Sequence, residues 1–213
     1  MHIFTSEMKQ IFHKIALNNN HIYVWKVIST SSDLIKNPLF TIEELKDAHQ
    51  LKNEKRKTEF LATRLALKNL FSKKTELKHH NSGRPYIKEA SHISISHSKN
   101  YVAIAFGEEN IGVDIERPKE KMLKLIPRIL SEKEYRKFQK NPSIELACKL
   151  WGTKESILKY IGDKNLNYRE DIQIENPGSG RAKYLDLDLD VQFEEIEEMI
   201  LTTVTNEVLS FKF

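Results

Sequence analysis

Asp114 and Glu116 are separated by one residue in the β-prone run Ile111-Gly112-Val113-Asp114-Ile115-Glu116. Strand side chains alternate faces, so both carboxylates point one way while Val113 and Ile115 point into a core. Further along, Trp151-Gly152-Thr153-Lys154-Glu155-Ser156-Ile157-Leu158-Lys159 is rich in helix formers, which puts Glu155 and Lys159 on one helical face. Three carboxylates and two lysines in this pattern suit a divalent cation and a diphosphate. Magnesium takes hard oxygen ligands, keeps some of its water, and completes its shell with substrate phosphate oxygens. Each piece also has an ordinary reading. Alternating acids are most often a solvated strand face, and Glu155 with Lys159 can be a plain helical ion pair, worth roughly 0.2–0.5 kcal/mol.

Other residues invite chemistry less strongly. Asp186, Asp188 and Asp190 alternate with Leu185, Leu187 and Leu189 and look even more like ligands. No helix carboxylate matches them, so they read as the water-facing side of an edge strand, where charge discourages aggregation. Ser96-His97-Ser98 suggests a hydrolase, but no Gly-x-Ser-x-Gly elbow surrounds either serine, and an inert loop histidine is the default. Lys52, Lys55, Arg56 and Lys57 form a basic helix start that is usually solvated, or else holds a phosphate or an acidic partner. His79-His80 lacks further ligands at metal-site spacing and reads as surface. Cys148 sits in an apolar run and reads as a buried structural thiol, while Trp151 and Leu158 read as core anchors.

The elements that must position these residues are partly legible. Ile22 to Ile28 reads as a strand, rich in β-branched and aromatic residues. Thr41 with Glu44 and Ser131 with Glu134 are capping boxes that open helices. Asn53 to Phe71 predicts a long helix, and Ile144 to Lys159 another that ends at Gly162. Strands are expected around Ile93–Ser96, Tyr101–Phe106 and Asp114–Glu116, with a short connection from His97 to Asn100. Pro177-Gly178-Ser179-Gly180 reads as a loop; Tyr184–Val191, Met199–Val204 and Val208–Phe213 read as strands. No self-similar period is visible. The pattern is α+β, with mostly antiparallel strands and helices packed against them.

Composition bounds the function. The 213 residues suit one domain or two intimately packed halves, and the net charge of +4 favours anionic ligands or acidic partners without demanding nucleic acid. A single cysteine excludes an internal disulfide and suits a reducing compartment. Near the start, Ile11-Phe12 and Ile15-Ala16-Leu17 are interrupted by His13 and Lys14, so neither signal peptide nor membrane span is expected and the cytoplasm is the expected location.

In chain order the features are Lys55 and Arg56, Arg64, Gly83-Arg84-Pro85, Ser96-His97-Ser98, Gly112-x-Asp114-x-Glu116, and Trp151-x-x-Lys154-Glu155-x-x-x-Lys159. From about Leu51 to Leu166 this order resembles the 4'-phosphopantetheinyl transferase superfamily, in its longer, surfactin-synthetase-activating type. The last two elements, with Ser131-x-x-Glu134 between them, are specific together and weak apart. The resemblance implies an α+β fold of two similar halves, residues 1–106 and 107–213, related by pseudo-twofold symmetry. Each half would be a small, mostly antiparallel sheet packed with a long helix, with one coenzyme A site in the cleft. Short members build that cleft between subunits of a trimer; a chain of this length implies a monomer.

By position, the resemblance implies that Asp114, Glu116 and Glu155 bind Mg2+, with Mn2+ as the alternative, and that Lys154 and Lys159 neutralise phosphate charge. Ser96 and His97 match a phosphate-contacting pair. Arg64 would reach the 3'-phosphate, helped by Lys55 or Arg56, and Gly83-Arg84-Pro85 would lie along the adenine, with arginine where lysine is frequent. The implied reaction moves the phosphopantetheine arm of coenzyme A to a serine of an apo acyl, polyketide or peptidyl carrier protein and releases adenosine 3',5'-bisphosphate. Asp114, Glu155 and Lys159 would be the catalytic residues. Glu155 would serve as general base, either directly or through a metal-bound water, which is the easier route because an ion lowers a carboxylate's proton affinity. No nucleic acid or membrane partner is expected. Two other readings remain open: a magnesium-dependent diphosphate hydrolase using water as nucleophile, and an anion- or nucleic-acid-binding module built on Lys52 to Lys57, which would show steep salt dependence and no need for metal.

Overall fold

The computed structural model describes residues 7–16, 19–163, 165–176, 178 and 180–206. The chain divides into two compact units, Met1–Asn81 with Pro85–Glu109, and Ser82–Arg84 with Asn110–Phe213. In the first unit, strands β1 (Met8–Ile15) and β2 (His21–Val27) precede helices α1 (Ser31–Leu34), α2 (Ile42–Gln50) and α3 (Glu54–Leu70). Strands β3 (Lys78–His79), β4 (Pro85–Tyr86), β5 (His92–Ser98) and β6 (Tyr101–Gly107) follow. The main sheet is antiparallel in the order β1-β2-β6-β5, and β3 pairs with β4. Asn53 caps α3 by accepting from the Arg56 N–H, and the helix buries Leu61, Ala62, Leu65 and Ala66 against Trp25, Ile93 and Ile104. The i, i+4 spacing of those leucines and alanines gives α3 its core stripe, and each buried leucine contributes about 1.5–3 kcal/mol.

The second unit contains β7 (Ile111–Glu116), α4 (Lys121–Ile129), α5 (Glu132–Phe138), α6 (Ile144–Ile161), β8 (Ile172–Ile174), β9 (Arg181–Tyr184), β10 (Leu187–Ile196) and β11 (Met199–Asn206). Its five-stranded sheet runs β7-β11-β10-β9-β8. Helix α6 is capped by Ser143 and stopped by Gly162, whose φ of 76° needs the freedom of glycine and whose N–H reaches the Leu158 carbonyl at 2.8 Å. Its apolar side, with Ala147, Leu150 and Ile157, packs with Ile200 and Val204 of β11.

Leaving aside β1, the same order therefore occurs twice: strand, three helices of which the third is longest, then four strands. The strand that precedes the helices lies beside the last strand in both main sheets, β2 beside β6 and β7 beside β11. Both second helices open with a complete capping box, Thr41/Glu44 and Ser131/Glu134. Asn53 follows Thr41 at the same distance as Ser143 follows Ser131, and each caps the long helix. At matching positions inside those helices, Thr63 donates to the Glu59 carbonyl at 2.7 Å and Thr153 to the Lys149 carbonyl at 2.8 Å. The α+β expectation with two sheet-and-helix halves holds.

Several expectations need correction. The run Tyr184–Val191 is not one strand. It reverses at Leu185-Asp186, with Leu185 at φ 51°, and Tyr184 pairs with Leu187 across a two-residue turn. Alternating Leu and Asp look the same whether the strand continues or folds back. Asp186 is thus a turn residue, and β10 lies inside its sheet rather than at an edge; Asp188 is held by Lys183 at 3.0 Å and Asp190 accepts from Gln192. His97 and Ser98 belong to β5, and the hairpin turn is only Lys99-Asn100, with Lys99 at φ 53°. Strands β1, β3 and β8 and helices α1 and α4 were not anticipated. Val208–Phe213, Pro177 and Ser179 lie outside the described residues.

Candidate active site

Two glycines bring α6 onto β7. A Cβ on Gly112 would lie 2.0 Å from the Ser156 carbonyl oxygen, and one on Gly152 would lie 2.5 Å from Thr202 Oγ1 and 3.8 Å from Asp114 Oδ2. Only glycine lets the elements approach this closely, and the approach puts Asp114 of the strand beside Lys159 of the helix. Gly112→Ala is expected to cost about 1–3 kcal/mol of stability, the usual range for overpacking. Denaturant unfolding measures this, and an unchanged midpoint would mean that helix and strand are not in such close contact.

Asp114 faces α6 and is only 5% exposed, so the solvated-strand reading does not apply to it. Its Oδ1 accepts from Lys159 Nζ at 2.8 Å, and the same ammonium donates to the Val113 carbonyl at 2.9 Å. A buried carboxylate is tolerable only with such a partner. Lys159 is therefore not a simple i, i+4 mate of Glu155; it reaches across to the strand. Glu155 Oε1 instead accepts from the Tyr168 hydroxyl at 2.7 Å. Burial raises the Glu155 pKa, and the Asp114 and Glu116 carboxylates push it the same way, against the Tyr168 hydrogen bond and Lys159. Glu116 is the last residue of β7, partly exposed, and pairs with Lys119 at 3.2 Å.

These three carboxylates are hard oxygen donors, and their mutual repulsion is what a divalent cation relieves, so their chemistry fits magnesium. As the side chains stand, no three ligating groups among the described residues are gathered tightly enough to hold an ion. Each carboxylate has a protein donor on one of its two oxygens, and a cation would share the group with it.

Lys154 departs from its expected role. It is fully buried, and its ammonium donates to both Glu134 oxygens at 3.1 and 3.2 Å, the Tyr168 carbonyl at 2.7 Å and the Ile172 carbonyl at 2.9 Å. Burial lowers its pKa, while Glu134 opposes the shift. An ammonium so enclosed has no donor left for a phosphate, and Lys154 is corrected from phosphate ligand to scaffold. Cys148 is buried as expected; burial and the nearby Glu116 and Asp114 push its thiol up to about 12, which rules out a nucleophile at neutral pH.

The remaining candidates fall into separate groups. In the first unit, His97 Nε2 lies 2.6 Å from Thr63 Oγ1, on the face of β5 that meets α3. Ser96 is buried on the opposite face, so the two neighbours do not project together. Arg64 folds back over the Phe60 ring, 3.3 Å from its centroid, and donates to the Phe60 carbonyl. Burial pulls its pKa down to about 10, with Glu44 and Asp47 pulling the other way, and it remains charged at neutral pH. Lys55 pairs with Glu59 at 3.6 Å on the exposed start of α3, where Arg56 is also exposed. Gly83 has φ 82° and Pro85 opens β4. Arg84 belongs to the second unit: it donates to Asn110 Oδ1 at 2.5 Å, and its Cδ would be 3.1 Å from a Cβ on Gly162, at the end of α6. Tyr168, Thr63 and Lys119 were missed by sequence reasoning. Only Lys119, three residues after Glu116, had a local spacing that could have revealed it.

Residues 110–204 match the family model of the 4'-phosphopantetheinyl transferase superfamily. The chain is 35% identical over 83 residues to 4'-phosphopantetheinyl transferase gsp of Aneurinibacillus migulanus, covering 38% of this chain and 35% of gsp. It is 35% identical over 85 residues to 4'-phosphopantetheinyl transferase Sfp of Bacillus subtilis (strain 168), covering 38% of each chain. It is 37% identical over 84 residues to the holo-[acyl-carrier-protein] synthase of the same strain, covering 30% of this chain and 69% of that protein. The aligned part thus spans little more than a third of gsp and of Sfp.

Proposed function

The chain belongs to the 4'-phosphopantetheinyl transferase superfamily, and on that premise we propose that it transfers the 4'-phosphopantetheine arm of coenzyme A to a serine of an apo carrier protein. The serine oxygen forms a bond to the phosphorus that carries the pantetheine arm. The bond from that phosphorus to the bridging oxygen breaks, and adenosine 3',5'-bisphosphate leaves with that oxygen. The observation that supports this most is the half-buried Asp114–Lys159 pair beside Glu155, on a strand and helix brought close at Gly112 and Gly152. Such a cluster has acids for a cation and a cation for phosphate.

Asp114, Glu116 and Glu155 would hold Mg2+, or Mn2+ in its place, and the ion when bound would polarise the attacked phosphoryl group. Lys159 would offset charge that builds on the transferring group. Glu155 would take the serine proton, directly or, more easily, through a water, since a bound ion lowers the carboxylate's own proton affinity. The net charge of +4 would speed encounter with an acidic carrier, whether acyl, polyketide or peptidyl. No helix among the described residues is long and apolar enough to cross a membrane; action as a cytoplasmic monomer is part of the same proposal.

Mixing the protein with apo carrier, coenzyme A and magnesium should raise the carrier's mass by one phosphopantetheine arm. A chelator should stop the reaction and added magnesium restore it. No mass gain with carriers of all three kinds would sink the reading. Release of phosphopantetheine without any carrier would point to a hydrolase instead.

A further inference from the structure

Tyr168 lies beyond α6 in a short segment that its own polar groups hold in shape. Asn167 Oδ1 accepts from the Arg169 N–H at 3.0 Å, and Asp171 Oδ2 accepts from the Asn167 N–H at 2.8 Å. The segment is gripped from below by Lys154, which donates to the Tyr168 and Ile172 carbonyls. The Tyr168 ring meets Trp151 edge to face, with centroids 6.5 Å apart. Backbone and ring are thus both fixed, and the hydroxyl is delivered to Glu155 Oε1 at 2.7 Å. Lys154 and Glu155 are adjacent in α6 and clasp the same residue, one by its backbone and the other by its side chain.

The geometry points to Tyr168 as a positioning residue for Glu155: its hydroxyl fixes Oε1 and leaves Oε2 for a divalent cation. The inference rests on the metal role proposed above for Glu155. An unrestrained glutamate must lose rotamer freedom to bind an ion, and a rigid hydroxyl donor removes that freedom in advance. The hydrogen bond is charge-assisted and therefore short and directional. A carboxylate only accepts, so the phenol hydroxyl donates to it. Outer partners of metal-ligating carboxylates typically contribute 10–100-fold in metal affinity or activity.

The experiment compares Tyr168→Phe with the wild type by Mn2+ titration followed by electron paramagnetic resonance, with coenzyme A present. Phenylalanine keeps the ring on Trp151 and the carbonyl on Lys154, so the melting temperature should hold while Mn2+ binds about 10-fold more weakly. In turnover, the magnesium concentration for half-maximal rate should rise by a similar factor, with kcat recovered at saturating metal. In a Glu155→Gln background the same substitution should change nothing further, because the coupling runs through Glu155. Equal or tighter Mn2+ binding by Tyr168→Phe would overturn the inference, since Tyr168 would then be idle or a competitor. A loss that persists in the Glu155→Gln background would overturn it too. If the wild type itself binds no Mn2+ beside coenzyme A, the metal reading of Glu155 falls and Tyr168 falls with it; wild-type binding with an unaffected variant removes Tyr168 alone.

Discussion

Glu155→Gln is expected to lower carrier modification by about 10²–10⁴-fold, the range for removing a positioned general base. The protein should stay folded and melt at or above the wild-type temperature. Glutamine has the size of glutamate, and its amide oxygen can still accept from Tyr168, so the local packing is kept. What disappears is a charge whose pKa is raised in the folded state by burial and by the Asp114 and Glu116 carboxylates. For an acid, a raised folded pKa means that ionisation opposes folding above that pKa, so at neutral pH the neutral amide removes a destabilising charge. Activity and stability should therefore move in opposite directions. Carrier mass measured against time gives the first, and thermal unfolding the second. Full activity in the variant would take Glu155 out of the mechanism, and a marked fall in melting temperature would contradict the electrostatic account.

Lys154→Met should do the reverse and act mainly on the fold. Methionine fits a fully buried position of similar length but leaves Glu134 without its cation and leaves the Tyr168 and Ile172 carbonyls without their donor. Removing one partner of a buried pair costs about 3–5 kcal/mol, a large share of the roughly 5–15 kcal/mol that holds a domain together. Substituting Glu134 as well would not restore all of this. Glu134 also accepts from the Ser131 N–H at 2.7 Å and from the Ile174 N–H at 2.7 Å, so the capping box and the start of the β8 region would lose their acceptor. Chemical denaturation of the single variant measures the loss. If the midpoint barely moves while coenzyme A binding collapses, Lys154 is a phosphate ligand after all and the scaffold assignment is wrong.

The helices were legible where local chemistry marks their ends. Thr41, Asn53, Ser131, Ser143 and Gly162 are cap residues whose partners lie within four positions, and a window of sequence contains the whole interaction. The doubled architecture was not legible as an internal repeat; only the family resemblance implied it. Its two copies share few residues, Glu44 with Glu134 and Thr63 with Thr153 among them, while Thr41 answers to Ser131, Asn53 to Ser143, and Leu65 stands where the other copy has Glu155. A search for self-similarity has little to match. Within the site, the alternation rule put Asp114 and Glu116 on one face and the helical period put Glu155 and Lys159 on another. That these faces meet depends on Gly112 and Gly152, whose meaning appears only when the Ser156 carbonyl and Thr202 hydroxyl are seen against them. Lys154 was misjudged because nothing in a helical pattern distinguishes a solvated lysine from an enclosed one. Tyr168 reaches Glu155 through a loop, at a spacing that no helix or strand period predicts.

The contact between Thr63 and His97 determines where a proton can sit. A threonine hydroxyl has one hydrogen, and Thr63 gives it to the Glu59 carbonyl at 2.7 Å. In that arrangement its oxygen accepts from His97, and the ring nitrogen 2.6 Å away, Nε2, carries the hydrogen. This contact selects one tautomer of the neutral ring, with the hydrogen on Nε2. In a nitrogen-15 spectrum of the neutral ring, Nε2 should show the shift of a protonated nitrogen, and Thr63→Val should free the two nitrogens to exchange roles.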